Sequence, residues 1–466
     1  MKKINKNKHD IIVDNTSLLI NQKKVHSKRK KKISLINKNK TKFIKKIVII
    51  ILSSIILFAF HYIPYIKKEI ENYNLTENEI NNNKFKEGNN IEEIYKDTNL
   101  TFDSITDSFN KAKPFLKNAM EGKYIQDRSK FELSENPMVS LIIPVYNCNY
   151  YISRAIKSAQ NQNLLDIEII LIDDFSTDGT LSKILIIQKE DPRIKLIINK
   201  KNMGILYSRS IGVLSSKGKY IFCLDNDDMF LNEDVFKTIT DIAEKGNIDI
   251  TEFRGALSIY GENFLSHRVE NINFSFHKKN IIMKQPTLGD YPIYADEHTY
   301  YGLRDVYLWN KCIKSEIYKK ALNYLGEKRY SRFMLSHEDV IIIFVLFNIA
   351  ESFIFVGKYG IFRELRNKSA SRIKNELVYA LKDVYFTEVV INFSKNTIEQ
   401  TKLIYKLMMK LLGLRLLELI WKNEENREII ISCLDKVLKS NMLNEEYKNN
   451  IRNKVAKVSF INYTKY

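Results

Sequence analysis

Three carboxylates crowd the end of one apolar run. "YIFCLDNDDMF" (220–230) reads as a buried strand that closes on Asp225, Asp227 and Asp228. Their mutual repulsion calls for an offsetting cation. Asp225 and Asp227 stand two apart, so on a continuing strand both point to one face, and a turn would converge them further. Such a pair suits Mg²⁺ or Mn²⁺, a hard ion that keeps several waters and also takes substrate phosphates. Acidic turns are common without any metal, so the pair gains weight only from its surroundings. A second acidic pair, Glu338 and Asp339, opens the apolar stretch of "SHEDVIIIFVLFNIA" (336–350). That stretch is too short to span a bilayer and reads as a buried helix. The helix dipole alone favours acids at such a start. A carboxylate within reach of a hydroxyl is also what a general base requires. His298 and His337 are not assigned to a metal.

The elements that must position these groups alternate. Strands are expected at "VSLIIPVYN" (139–147), "IEIILIDD" (167–174), "IKLIIN" (194–199) and "YIFCLDND" (220–227). Helices are expected at 151–162, 179–190 and 205–216. Strand and helix at short spacing predict a parallel α/β sheet. Ligands in such sheets bind beyond the carboxyl ends of the strands. Pro144–Asn147, Asp173–Asp178 and Asp225–Asp228 all fall there.

The chain has 466 residues and a net charge of +19. Most of that charge belongs to a tail at 1–46, where sixteen Lys and Arg meet only Asp10 and Asp14. The body is nearly balanced, which argues against a nucleic-acid binder. "IVIIILSSIILFAFHYIPYI" (47–66) carries no formal charge and is long enough to span a bilayer as a helix. With the basic tail held on the cytoplasmic side, it predicts a single-pass type II anchor in a Golgi or ER membrane, with the body lumenal. Residues 67–137 read as a polar stem, 138–375 as the α/β domain and 376–466 as a helical C-terminal region. In that last region "LIYKLMMKLLGLRLLELIW" (403–421) reads as a helix that packs, meets a second copy or lies on the membrane, with packing the first expectation. The four cysteines show no CxxC and imply neither a zinc site nor a disulfide framework.

Taken in order, "PVYN" (144–147), "IDDFSTDGT" (172–180), "NMGILYSRSIG" (202–212) and "LDNDD" (224–228) resemble the nucleotide-sugar-binding half of family 2 glycosyltransferases. "WNKCIKSEIY" (309–318) is similar to the family's acceptor-side segment, "HEDV" (337–340) to its catalytic motif, and "FRELRNKSAS" (362–371) to its closing stretch. The resemblance covers roughly residues 138–372 and implies a GT-A fold, a Rossmann-like nucleotide-diphospho-sugar transferase domain. It departs at Phe175, where Gly or Asn is usual, and at Ser210, where Asn is usual.

The resemblance also implies roles. Tyr146 and the backbone near Pro144 would hold the uracil, and Asp174, or alternatively Asp173, would accept its N–H. Arg209 would contact the nucleotide from the far side, and Trp309 would line the substrate site. Asp225 and Asp227 would hold Mn²⁺ or Mg²⁺ on the diphosphate. Asp339 would be the base, with Glu338 shaping its position or touching the acceptor. The implied reaction is inverting transfer from a nucleotide-diphosphate sugar, best a UDP-sugar, to a hydroxyl of a glycan, glycoprotein or glycolipid. The alternatives are a dolichol-phosphate sugar synthase and a non-catalytic nucleotide-sugar-binding scaffold.

Overall fold

A computed structural model describes residues 105–259, 268–270, 281–284, 307–334, 338–364, 376–414 and 417–458. The basic tail, the apolar run 47–66, the first part of the expected stem, His298 and His337 lie outside them. Among the described residues no helix is long and apolar enough to cross a membrane.

Helix α1 (Ile105–Met120) falls inside the expected stem. Phe109, Ala112, Phe115, Leu116 and Ala119 are buried. Their spacing of three and four residues forms one apolar stripe. Phe109 stacks on Phe362 with ring centroids 5.8 Å apart. Further on, the Arg193 guanidinium covers the buried Phe131 ring at 3.6 Å. The stem reading is therefore corrected from residue 105 onward. Its polar composition masked a narrow stripe that one face is enough to dock.

The expected alternation follows. Strands β1 (Val139–Val145), β2 (Ile167–Asp173), β3 (Ile194–Ile198) and β4 (Tyr220–Cys223) are separated by helices α2 (Ile152–Gln160), α3 (Thr180–Gln188) and α4 (Ile205–Ser215). These four strands are parallel, in the order β3-β2-β1-β4. Strands β1 and β2 are buried at every position. That explains their unbroken apolar sequence, because a parallel sheet is covered on both faces. On α4, a Cβ at Gly212 would lie 2.6 Å from Ile172 and 2.7 Å from Ile142, so the helix seats directly on β1 and β2.

Past β4 the sheet turns mixed. It continues through β5 (Met229–Phe230), α5 (Val235–Gly246), β6 (Ile250–Ile259), β7 (Arg268–Glu270), β8 (Ile281–Lys284) and β9 (Lys311–Lys314). Helices α6 (Ser315–Leu325), α7 (Glu327–Tyr330) and α8 (Glu338–Ile349) precede β10 (Ser352–Glu364). Beyond β4 the order is β9-β6-β10-β5, and β9 runs antiparallel to both β4 and β6. The parallel expectation thus holds for the four strands it covered, and the sheet turns mixed where the sequence pattern loses its regularity.

Helix α8 is apolar almost all round and is buried on nearly every face. The C-terminal helices α9 (Glu376–Phe393), α10 (Ile398–Leu411), α11 (Leu417–Lys422), α12 (Glu424–Lys439) and α13 (Glu445–Ala456) share a core with it. Phe344 of α8 meets Phe386 of α9 edge to face at 6.0 Å. The stretch expected as one helix over 403–421 is divided between α10 and α11. Its Leu403, Ile404, Leu407, Met408, Leu411, Leu417 and Ile420 are buried, which makes it a packing element.

Because α1 docks through fully buried side chains, Leu116→Ala should cost about 2–5 kcal/mol of unfolding free energy in urea titration. A loss under about 0.5 kcal/mol, the range of exposed positions, would return α1 to the stem.

Candidate active site

The strand ends place their polar residues as neighbours. Val145 of β1 pairs with Asp173 of β2, so Tyr146 and Asp174 each begin a loop at the same level. Pro144 sits in a central strand, where a missing N–H normally costs a ladder bond. Leu224 N–H reaches Ile142 O from β4, so the next position on that side is Pro144. By then β4 has ended, and the Pro144 carbonyl accepts instead from Asn226 Nδ2 at 3.1 Å.

Asp225 to Asp228 form a turn, not a continuing strand, closed by Asp228 N–H to Asp225 O at 3.1 Å. Asp225, Asp227 and Asp228 each offer a carboxylate oxygen within 4.8 Å of the others. The turn is held by arginines. Arg154 Nη2 donates to the Asp227 carbonyl at 3.0 Å. Arg363 Nε donates to Asp228 Oδ2 at 3.0 Å, and its Nη2 lies 3.8 Å from Asp225 Oδ2. Burial pushes the Asp228 carboxyl up to about 7, with Arg363 opposing and Asp225 adding to the rise. Hard oxygens gathered this closely fit a divalent cation, and half-exposed Asp225 and Asp227 are the two that solvent reaches.

Arg209 joins this turn to the second acidic pair. It is 2% exposed, donates to Glu338 Oε1 from Nη2 at 2.8 Å and from Nε at 3.2 Å, and reaches Asp225 Oδ1 at 3.3 Å. Arg209, expected at a nucleotide, engages these two carboxylates through Nε and Nη2, while its buried Nη1 has no hydrogen-bond partner among the described residues. Beside Glu338, Asp339 is half-buried, and its Oδ1 has no hydrogen-bond partner among the described residues. Burial holds the Asp339 carboxyl well above the usual carboxylate range, Glu338 raises it further, and Arg209 opposes both.

At the ends of β1 and β2 the two aspartates are engaged differently. Asp174 accepts from Met203 N–H and Asn199 Nδ2 through Oδ1, each at 2.8 Å, and from Gly204 N–H through Oδ2 at 2.8 Å. It is committed to the loop before α4. Gly204, at φ +87°, leaves no room for a Cβ, which would lie 2.6 Å from the Met334 carbonyl. Asp173 Oδ2 accepts from Ser176 N–H at 3.2 Å, whereas its buried Oδ1 has no partner among the described residues. Tyr146 is 45% exposed nearby. Trp309, expected against substrate, is 2% exposed, lies beneath Arg363 at 5.0 Å and backs onto Gly255. It carries the arginine that holds the acidic turn.

Arg363, Arg154 and Asn226 escaped the sequence reading as site residues. Arg363 lies in the closing stretch at 362–371, but nothing in spacing alone ties it to Asp228.

A family model, "Glycosyl transferase family 2", matches residues 140–296. An uncharacterized glycosyltransferase of Haemophilus influenzae is 30% identical over 268 residues, covering 55% of this chain and 78% of that protein. Another from the same organism is 41% identical over 103 residues, which are 22% of this chain and only 41% of that relative's length. Staphylococcus aureus TarS 1–349, solved in complex with UDP-GlcNAc, aligns with a TM-score of 0.47 at 16% identity, over 68% of this chain and 87% of that one. The chain belongs to glycosyltransferase family 2.

Arg209→Met would leave Glu338 buried without its counter-charge. Urea titration should show a loss of about 3–5 kcal/mol. Stability within about 1 kcal/mol of the parent would mean that the bridge is not a structural clamp.

Proposed function

We propose that the chain transfers a sugar, with inversion, from a nucleotide-diphosphate donor, best a UDP-sugar, to a hydroxyl of a glycan, glycoprotein or glycolipid. One observation carries the reading: one buried arginine couples an acidic turn suited to a metal diphosphate to Glu338, whose neighbour on the helix, Asp339, keeps a buried oxygen without a hydrogen-bond partner among the described residues.

Asp225 and Asp227 are the residues to hold Mn²⁺ or Mg²⁺, which would supply charge neutralisation for the departing diphosphate. The protein's own residues do the rest. Asp173 Oδ1 accepts a base N–H, Tyr146 and the Pro144 backbone flank the base, and Asp174 fixes the loop behind it. Asp339 accepts the proton of the attacking hydroxyl through Oδ1, so the hydroxyl gains nucleophilic character as it approaches the anomeric carbon. Glu338, held by Arg209, sets the start of α8 and thereby the place of Asp339. A single base with attack opposite the leaving group inverts the centre, as in inverting glycosidases. Anchoring through residues 47–66, with the body in a Golgi or ER lumen, is proposed on the apolar run and the basic tail alone, the relatives compared being bacterial.

Three outcomes test this. In the full chain with UDP-sugars and Mn²⁺, Asp339→Asn should lower UDP release by about 10²-fold or more while UDP still binds. The raised Asp339 carboxyl must lose its proton to act, so the rate should fall on acidification at a pH well above 4, the ordinary carboxylate range. Undiminished release by Asp339→Asn would remove it as the base. Asp227→Ala should abolish the gain in UDP affinity that Mn²⁺ confers, read by calorimetry. An unchanged gain would move the metal elsewhere.

A further inference from the structure

Phe175 adopts φ +70°, a region that a bulky side chain enters only at a steric cost. About half of that side chain stays exposed, at 51%, so packing offsets the cost only in part. Strain of this kind persists only where the surroundings over-determine the backbone, and here they do. On the near side, Asp174 N–H donates to Val145 O at 2.8 Å. On the far side, Ser176 N–H donates to Asp173 Oδ2, and Ser176 Oγ accepts from Asn147 N–H at 3.0 Å. Thr177 N–H donates to Asn147 Oδ1 at 2.8 Å. The loop that carries Phe175 is thus tied to the loop that carries exposed Tyr146.

Between the two loops, at the paired ends of β1 and β2, stands Asp173 with its one buried oxygen lacking a partner among the described residues. Two solvent-facing aromatics and one buried acceptor match a single kind of ligand. That ligand is a flat heterocycle with an N–H on its edge, such as the uracil of a nucleoside diphosphate.

We propose that Phe175 is a base-binding and base-selecting residue, held in a strained conformation so that its ring meets the nucleobase whose N–H reaches Asp173. The proposal rests on the donor-site reading above and adds a contact to it. The exposed, left-handed phenylalanine exchanges unliganded stability for base affinity.

The test uses the full chain with Mn²⁺, titrated calorimetrically with UDP and with ribose 5-diphosphate, which lacks the base. Phe175→Asn keeps a residue at ease at positive φ but removes the ring, and Phe175→Tyr keeps the ring. The ring contact predicts that Phe175→Asn binds UDP roughly tenfold more weakly, that Phe175→Tyr binds it as the parent does, and that ribose 5-diphosphate binds all three alike. It also predicts a thermal midpoint for Phe175→Asn at or above that of the parent, since strain is relieved. UDP affinity unchanged in Phe175→Asn overturns the proposal, with the donor site itself intact. Equal weakening toward both ligands overturns it as well, by tracing the loss to the loop. Failure of the parent to bind UDP at all overturns the donor-site reading and this proposal together.

Discussion

The arrangement turns on a buried guanidinium. Arg209 is held between Glu338 at the start of α8 and Asp225 in the turn after β4, residues far apart in sequence and on different elements. Two carboxylates brought near one another in a protein interior would repel and take up protons. One arginine with a planar fork bonds both and fixes their separation. Everything assigned to the donor's diphosphate lies on one side of that bridge, and the proposed base lies on the other. Arg209, expected at the edge of a nucleotide, joins the two half-sites through Nε and Nη2.

Much of the surrounding fold exists to keep α8 in place. Its apolar faces are buried against α6 and the C-terminal helices, which share a core with it. The segment before it is tied down as well. Ile205 N–H donates to the Met334 carbonyl at 2.8 Å, Gly204 permits that approach, and Arg332 pairs with Glu388 of α9. The helical region past residue 376 therefore acts as a backing for the acidic pair rather than as a separate module. This accounts for a C-terminal segment that carries no motif of its own yet is rich in buried leucine and isoleucine.

The legible part of the chain was the part governed by local rules. Continuous apolar runs closed by Pro, Asp or Asn marked β1 to β4, and helical spacing marked α2 to α4, since a covered parallel sheet demands that pattern. The acidic positions were legible because three aspartates close a strand end in line with the other motifs of the ordered set. What escaped was non-local. Asp173 and Asp174 are adjacent and identical in type, and only the loop before α4, which occupies Asp174 from three donors, tells them apart. Trp309, expected to line the substrate site, lies buried beneath Arg363, a contact no local pattern announces. Helix α1 hid in a polar segment because its stripe is narrow. Phe175 was visible as an unusual residue in its motif, but its positive φ was not.

The most direct measurement of the central bridge is a double-mutant cycle. Asp225→Asn, Glu338→Gln and the double variant would be compared by kcat/KM for UDP release from a donor sugar. If Arg209 ties the two carboxylates into one centre, the effects should be non-additive by about 1–3 kcal/mol. Effects that add within about 0.5 kcal/mol would show two independent acidic sites and contradict the account.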